Sequence, residues 1–368
     1  MMYKSLNDLS DQGNFYGFPA FICLSSEKMN SIKVTLSDVA REAKVSTATV
    51  DRVINSRNGV SARMRNHVLS VANRLGYTVP PPSELTTLVE LDFVLPGGTN
   101  TYMNILAAEL ANGASTFTNT RARVHRIEGF SSQALSERLE SLVDQSDGIG
   151  MVGLDHPEVR EAARQVQAAG VPLLTIASDI PNVPRLGYVG IDNRAAGRLA
   201  GYLLGRLMPR REGKVALFAG SLSDRGHEER EMGFRHTLFE EFPELNVLQL
   251  HEILDDVDRC YTEARELIQD HPDLGGVYNI GAGNRGIAAA LEESGRAKEI
   301  VFIGHELTPH TRRFLLSGTM DAVIDQNPRL EACESIRALA DAARNQPVDR
   351  DRLAVGMQVI FRDNIPQH

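Results

Sequence analysis

The chain has no tryptophan and only three cysteines, and it lacks any long hydrophobic segment. Because Cys23, Cys260 and Cys333 lie far apart and in no paired spacing, we expect a reducing compartment, no disulfide framework and no structural zinc. No apolar run approaches the roughly 18 residues that a membrane span requires. The short apolar stretch at 15–24 has neither the basic start nor the small-residue end of a signal peptide. We therefore predict a cytoplasmic protein that does not bind a membrane.

Acidic charge dominates the chain but is unevenly distributed. The net charge over 368 residues is −9, which by itself disfavours a nucleic-acid partner. Between Lys33 and Tyr77, however, eight basic and three acidic residues give +5, which leaves −14 for the remainder. A short basic module on an acidic body is typical of a protein that binds phosphates at one end. The length allows two or three compact units.

Residues 1–32 precede the first periodic pattern, and we expect them to form a disordered extension outside the folded domains. Met29 lies four residues before the patterned sequence begins. A translation start assigned too far upstream is therefore one hypothesis, which mass spectrometry of the native protein would test.

Three short amphipathic helices are predicted within residues 33–78. An apolar stripe at helical spacing runs from Leu36 to Ala43, and Thr35 and Asp38 have the spacing of a capping box. The first helix should therefore begin near Leu36.

Two further helices follow a tight turn. Ser46 is placed to cap a second helix from about Thr47 to Asn55, and Ser61 to cap a third. The apolar face of the third helix comprises Met64, Val68, Val71, Ala72 and Leu75, and Gly76 ends it. Three helices of this length with a polar second helix predict a helix-turn-helix domain that binds double-stranded DNA.

The second helix has the side chains that a major groove about 12 Å wide admits. Thr47 and Ala48 are short, and Arg52 lies four residues after Ala48 on the same face. We expect Arg52 to bind a guanine edge and the two short residues to contact a base edge or a thymine methyl. Phosphate contacts are predicted for Thr35, Ser46, Thr49, Asn55 and Ser61.

The segment from Val34 to Tyr77 resembles the DNA-binding headpiece of the lactose-repressor (LacI/GalR-type) family. It matches the family signatures T-L-x-D-V-A, V-S-x-x-T-V-x-R-V-x-N and R-L-G-Y. The resemblance implies that Thr47, Ala48 and Arg52 read bases in operator DNA. Asp51 departs from the usual serine, and it should either pair with a nearby arginine or accept a hydrogen bond from a cytosine amino group.

Residues 79–87 form a linker that differs from the family pattern. Pro80, Pro81 and Pro82 favour an extended segment and stop any helix before them. We therefore expect no hinge helix that inserts into the minor groove, and we expect the effector to act on DNA binding through headpiece spacing.

The remaining residues, 88–368, alternate short β-branched runs with helical stretches, which predicts α/β architecture with parallel sheets. This body resembles a type I periplasmic-binding-protein-like domain, which is also the effector domain of lactose-repressor regulators. The resemblance implies two lobes and three crossings, expected near Ile191, Gly304 and Gln326. The first lobe is then assigned to 88–191 and 304–325, and the second to 192–303 and 326–362.

The same resemblance places an effector site between the lobes. The residues carried over are Asn100, Tyr102, Asp179, Arg230, Asn279, Glu306 and Gln326. Carboxylates, amides and a guanidinium suit the hydroxyls of a sugar or polyol, and an aromatic ring suits its apolar face. Because tryptophan is absent, Tyr102 or a phenylalanine must supply that ring. Singly, each of these residues also fits a surface ion pair or a turn.

Two other functions are weighed against an effector-controlled repressor. GAGNRG at 281–286, with Glu306 twenty residues later, resembles a dinucleotide fingerprint of an NAD-dependent oxidoreductase, but too little chain follows for a substrate domain. A solute-binding protein would have no use for a basic three-helix module. His227, His305 and His310 follow strand ends but lack metal spacing. We therefore predict a homodimeric regulator, without enzyme activity, cofactor or metal, that binds two operator half-sites.

Overall fold

The computed structural model describes residues 34–54, 62–77, 88–210 and 212–366. These fall into two compact units, the first containing the described residues up to 77 and the second those from 88 onward. Several predicted features lie outside the described residues, namely the extension at 1–32, the linker at 79–87, Asn55 and Ser61.

The first unit contains three helices that bury one small apolar core. They are α1 (Leu36–Ala43), α2 (Thr47–Ile54) and α3 (Ala62–Arg74). Val39, Val50 and Val68 are fully buried where the helices meet, whereas Met64 remains 37% exposed and does not complete the predicted face of α3.

Local hydrogen bonds fix the ends of the first two helices. The Thr35 backbone N–H donates to Asp38 Oδ2 at 3.0 Å, and the Thr35 side chain accepts from the Asp38 backbone N–H, so the predicted capping box is present. Lys44 takes a left-handed conformation with φ 55° and ends α1. Ser46 Oγ then accepts from the backbone N–H of Thr49 at 3.1 Å, as an N-cap does.

The second unit begins with a five-stranded parallel sheet in the order β2-β1-β3-β4-β5. Helices cover both faces of this sheet, so β1, an interior strand, is almost wholly buried. The elements of this first lobe are β1 (Val89–Pro96), α4 (Thr101–Gly113), β2 (Thr120–Ile127), α5 (Ser132–Leu142), β3 (Gly148–Met151), α6 (Pro157–Ala168), β4 (Leu173–Ile176) and β5 (Tyr188–Val189).

A second sheet of six strands has the order β11-β10-β9-β8-β6-β7, with only the terminal strand β11 antiparallel. It forms the second lobe. Its elements, with α12 included for chain order, are α7 (Asn193–Leu207), β6 (Gly213–Ala219), α8 (Arg225–Glu241), β7 (Leu245–Glu252), α9 (Val257–Asp270), β8 (Leu274–Asn279), α10 (Asn284–Glu293), β9 (Val301–His305), α11 (Pro309–Ser317), β10 (Ala322–Asp325), α12 (Pro328–Ala343) and β11 (Gln358–Ile360).

The sheet order corrects the predicted division into lobes. Gly304 lies inside β9 and pairs with Val323 of β10, so residues 304–325 belong to the second lobe and not to the first. After Gln326 the chain returns to the first lobe, where α12 packs on α4 and on the first sheet. It crosses again near Ala354, which bridges to Gly190, and β11 completes the second sheet. The three crossings are therefore near Ile191, Gln326 and Ala354.

Close packing of α7 on α8 sets the position of the cleft side of the second lobe. A Cβ atom on Gly197 would lie 2.0 Å from the carbonyl oxygen of Arg230, and one on Gly233 would lie 2.1 Å from that of Arg194. Only glycine permits this approach of the two backbones. The contact fixes the backbone from which the Arg230 side chain extends.

Candidate functional site

The outward face of α2 presents the side chains predicted to read bases. Thr47, Ala48 and Arg52 are all exposed. Two other arginines of the first unit are paired with carboxylates, Arg41 with Asp38 at 2.5 Å and Arg74 with Glu42 at 2.8 Å. No described residue forms a salt bridge with Arg52, so its guanidinium is available to a partner.

Hydroxyl groups that are predicted to contact phosphates also form hydrogen bonds within the first unit. The Thr35 hydroxyl donates to Asp38 Oδ2 at 2.6 Å, and Ser46 Oγ lies 2.9 Å from Thr49 Oγ1. Asp51 also has an interaction partner in the folded chain. Thr35 is exposed at the amino-terminal end of α1 and Ser46 at that of α2, whereas Thr49, within the first turn of α2, is half-buried.

A cleft lies between the two lobes of the second unit. Loops that follow the carboxyl ends of β1, β2, β4, β6, β7, β8, β9 and β10 line it, as expected for parallel α/β sheets. It contains about 840 Å³ of space, part of which is open to solvent.

Neutral partners hold Arg230 inside this cleft. Its side chain is only 5% exposed and donates from Nε to Asn193 Oδ1 at 2.8 Å and from Nη1 to the Ile280 carbonyl oxygen at 3.0 Å. Among the described residues, no carboxylate forms a salt bridge with it, and none accepts from Nη2. A buried cation without an anionic partner is costly, so Arg230 is poised to donate to a ligand.

A chain of hydrogen bonds connects Arg230 to the first crossing between the lobes. Asn193 Nδ2 donates to the Tyr188 hydroxyl at 3.1 Å. That hydroxyl lies 3.0 Å from the Ala177 carbonyl oxygen and 3.1 Å from that of Ile191. Hydrogen bonds therefore connect the Arg230 side chain to the backbone at which the chain changes lobe.

Glu306 and Gln326 form a buried polar pair at the second crossing. The Gln326 amide donates to Glu306 Oε1, and neither Glu306 Oε2 nor Gln326 Oε1 has a hydrogen-bond partner. Burial, reinforced by the negative charge of Asp325, raises the pKa of Glu306 to about 8. Glu306 also has a left-handed backbone with φ 70°, a strained conformation for a residue of this size. Because a carboxyl with this pKa is mostly protonated at neutral pH, Glu306 Oε2 can donate a hydrogen bond, while Gln326 Oε1 is a buried acceptor.

Tyr102 supplies an aromatic wall on the side of the first lobe. Its ring is 7% exposed, and its hydroxyl donates to the carboxylate of Glu331, which is fully buried on α12. Burial raises the pKa of Glu331 well above its usual range, and burial with the Glu331 charge does the same for Tyr102. Sequence reasoning missed Glu331, because it lies 229 residues from its partner.

Five of the seven predicted effector residues line the cleft, namely Asn100, Tyr102, Arg230, Glu306 and Gln326. Asp179 does not. Its carboxylate accepts from Arg185 at 2.5 Å and from the Thr175 hydroxyl at 2.6 Å, and these bonds hold it outside the cleft. In this structure it belongs to an ion pair and is not among the residues that line the cleft, so its role as an effector contact stays a prediction.

Asn279 is the second predicted residue that does not line the cleft. It is fully buried, and its amide nitrogen donates to the carbonyl oxygens of Gly281 and Ala282 at 3.1 Å and to Asn284 Oδ1 at 2.7 Å. The side chain therefore shapes the loop after β8, which itself lines the cleft.

Several cleft residues were absent from the predicted site. Asp224, His227, Asp255 and His305 all line the cleft. The first three follow strands and His305 is the last residue of β9, which was the available signal. His305 Nε2 lies 2.8 Å from the Tyr278 hydroxyl, and burial lowers the pKa of His305 well below its usual value, so it is neutral. Within the described residues, no group of three potential metal ligands comes together.

The glycines of the GAGNRG segment serve packing. A Cβ on Gly283 would lie 2.4 Å from Ile253 Cδ1, and one on Gly286 would lie 2.5 Å from the Val257 carbonyl oxygen. These contacts press the loop and α10 against α9 and leave the loop at the cleft wall. The motif lies in the middle of the second lobe, and packing accounts for Gly283 and Gly286 without a dinucleotide.

Comparison with known proteins identifies both units. Residues 35–79 match the model of bacterial regulatory proteins of the lacI family, and residues 91–347 match a periplasmic binding protein domain. The chain belongs to the lacI family. The two matched segments correspond to the two units of the structure, so this lacI-family protein joins a helix-turn-helix unit to a two-lobed binding domain.

Two curated relatives illustrate the relationship. The lacI-family chain is 30% identical to the HTH-type transcriptional regulator pepR1 of Lactobacillus delbrueckii subsp. lactis, over 67% of its own length and 70% of that protein. It is 29% identical to catabolite control protein A of Streptococcus mutans, over 52% of its length and 56% of that protein. These relatives are regulators and not enzymes.

Solved structures share the fold of the two-lobed unit. A glucose-galactose binding protein from Geobacillus stearothermophilus has a TM-score of 0.69 at 23% identity and covers 76% of this chain and 99% of its own. A solute-binding protein from Burkholderia graminis, solved with D-arabinose, has a TM-score of 0.70 at 21% identity and covers 76% and 96%. In the described part of the lacI-family chain, no helix is long and apolar enough to cross a membrane.

Proposed function

We propose that this lacI-family protein is a transcriptional repressor whose affinity for operator DNA is controlled by a small polyhydroxylated effector, a sugar or polyol. The carrying observation is the cleft, where buried Arg230 and Glu306 of the second lobe face Tyr102 of the first. The same chain exposes Arg52 on a helix-turn-helix. This combination provides one surface for DNA and another for a ligand.

The polar atoms of the cleft suit hydroxyl groups, which both donate and accept. Arg230 offers a guanidinium donor, the protonated Glu306 carboxyl offers an O–H at Oε2, and Gln326 Oε1 offers a buried acceptor. Each of these atoms favours a ligand that completes its hydrogen bonding. Tyr102 and Phe130 supply rings for the apolar face of a sugar. The sugar-binding proteins with this fold are consistent with such a ligand.

We further propose that the protein acts in the cytoplasm as a homodimer. A single helix-turn-helix contacts one half-site, and two half-sites are normally needed for specific binding. A ligand held by both lobes favours one lobe arrangement over another. The bonds from Arg230 through Asn193 to Tyr188 are the route by which that preference would reach the first crossing.

A solute-binding protein of a transporter is the second candidate, because the similar solved structures include such proteins. The lacI-family match at residues 35–79 favours the regulator, since a transport component has no use for a DNA-binding unit. Selection from random DNA with the purified protein separates the two candidates, because only the regulator should enrich a specific DNA sequence.

The decisive experiment is operator titration with Arg230→Ala. Selection from random DNA, with and without a panel of sugars, polyols and sugar phosphates, first supplies the operator and the effector. Loss of the buried guanidinium should raise the effector concentration needed for the response by roughly 10- to 100-fold. Operator affinity without effector should stay nearly constant.

Arg235→Ala is the matched control, because Arg235 also lies on α8 but pairs with Glu231 at 2.7 Å outside the cleft. It should respond like wild type. If Arg230→Ala responds at the wild-type effector concentration, Arg230 is not a ligand contact and the proposed site is wrong.

A further inference from the structure

Asn100 and Asp255 join the two lobes directly across the cleft. Asn100 is the N-cap of α4 in the first lobe, and Asp255 lies between β7 and α9 in the second. The Asn100 amide nitrogen donates to Asp255 Oδ2 at 2.8 Å, and the Thr99 hydroxyl donates to the Asp255 carbonyl oxygen at 3.3 Å. Both bonds link the loop after β1 in the first lobe to the same residue of the second lobe.

The backbone that carries Asp255 is constrained. Leu254 and Asp255 are consecutive residues in the left-handed region, with φ 51° and 58°. Non-glycine residues adopt this conformation at a cost. Leu254 is also 54% exposed, so its own packing does not explain the conformation. Contacts in the folded chain therefore stabilise this conformation, which directs the Asp255 side chain towards the first lobe.

Two neighbours fix the carboxylate within the second lobe. The backbone N–H of Ala282 donates to Asp255 Oδ1 at 3.3 Å. A Cβ on Gly220 would lie 2.3 Å from the same oxygen, so only glycine leaves room for it. Asp255 therefore has one oxygen committed to its own lobe and the other to Asn100.

Asn100 is equally committed. Its Oδ1 accepts from the backbone N–H of Met103 at 3.2 Å as the cap of α4, while its amide nitrogen donates to Asp255. With both ends of the amide engaged, Asn100 is better suited to joining the lobes than to binding an effector. This changes the role predicted from the sequence.

We propose that the Asn100–Asp255 pair is a latch that sets the balance between open and closed lobes before any effector binds. The latch favours the closed arrangement because the Asn100 amide can donate a hydrogen bond to the Asp255 carboxylate only when the two lobes are close together. It depends on the two-lobed fold alone, so it stands or falls separately from the proposed effector and operator.

The test is Asn100→Asp in the full-length protein. Aspartate still caps α4, but it places a second carboxylate opposite Asp255 and removes the donor. We expect the ratio of closed to open protein to fall by roughly 10- to 100-fold. Combining Asn100→Asp with Asp255→Asn exchanges acceptor and donor, and this double variant should return the closed population.

The distance between the lobes can be measured by pulsed electron paramagnetic resonance. Spin labels are attached to the variants Glu140→Cys on α5 and Glu266→Cys on α9, two exposed positions. Cys23 and Cys333 are replaced by serine, whereas the fully buried Cys260 is retained. Labelled protein is diluted with unlabelled protein so that distances within one chain dominate. No effector is added.

Asn104→Asp is the control, since Asn104 lies one turn further along α4 and bonds Arg126 and Gly98 within the first lobe. It should keep the wild-type distance. Three results would overturn the latch: no lengthening with Asn100→Asp, equal lengthening with Asn104→Asp, or failure of the double variant to shorten the distance again.

Discussion

The two proposed binding surfaces treat their polar side chains in opposite ways. On the headpiece, Thr47, Ala48 and Arg52 are exposed. In the cleft, Arg230 and Glu306 are at most 8% exposed, and strained backbone surrounds them. A surface that meets a large charged partner can leave its side chains in water, whereas a small-ligand site must bury them. Substitutions in the cleft should therefore affect stability as well as binding, and those on the headpiece binding alone.

The largest expected effect tests how rigidly the cleft is built. Gly197→Ala would place Cβ 2.0 Å from the Arg230 carbonyl oxygen, a backbone clash that side-chain movement cannot relieve. We expect a loss of about 3 kcal/mol in unfolding free energy, at the upper end for overpacking, measured by chemical denaturation. Gly356→Ala, which meets nothing within 4 Å, should be nearly neutral. Equal stability of the two variants would contradict the packing described for α7 and α8.

Glu306→Gln tests the cost of the buried carboxyl. Because burial raises the pKa of Glu306 to about 8, the folded state holds a proton that the unfolded state releases above its ordinary value near 4.5. This stabilisation is complete below about pH 4.5 and is lost as the pH rises towards 8. It changes by at most about 1.4 kcal/mol per pH unit.

The measurement is unfolding free energy of wild type and Glu306→Gln at pH 5 and pH 7. Wild type should lose more stability across this interval than the variant, by at most about 3 kcal/mol. Parallel pH profiles for the two proteins would show that Glu306 is not titrating in this range.

Arg52→Ala is expected to affect DNA binding without affecting folding. Loss of a bidentate contact with guanine should cost about 1–3 kcal/mol and relax base choice at one operator position. Lys33→Ala, which removes a charge just before the described residues, should weaken binding to all sequences alike. Titrations on operator and nonspecific DNA distinguish the two. The same loss on both DNAs for Arg52→Ala would rule out base reading.

The smallest effect is expected at Asp179, which sequence comparison placed in the effector site. Asp179→Asn weakens a partly exposed ion pair with Arg185, worth about 1 kcal/mol or less. Effector affinity should be unchanged. A large fall in that affinity, with folding intact, would show that Asp179 does reach the ligand and that the cleft boundary drawn above is too narrow.

Features that depend on near neighbours in the chain were predictable. The cap formed by Thr35 and Asp38 spans three residues, and α1 begins at Leu36 as the pattern predicts. The alternation of strands and helices likewise predicted the α/β class, because the spacing of apolar residues within each segment reflects which of its side chains are buried. Arg230, Glu306 and Gln326 were predicted from the family resemblance. Glu306 and Gln326 directly follow β9 and β10, and Arg230 lies in the helix that follows β6. These positions agree with the general placement of ligand sites beyond the carboxyl ends of parallel strands.

The sequence by itself determined the α/β class, the helix-turn-helix and the two-unit organisation, whereas tertiary structure decided which elements share a lobe and which side chains meet in the cleft. Both lobes use the same βα pattern, so no local signal assigns β9 and β10 to one sheet or α12 to the other. Asp255 meets Asn100 across 155 residues and Glu331 meets Tyr102 across 229. Such pairs arise from the path of the folded chain, because hydrogen bonding depends on distance in space and leaves no periodic trace in the sequence.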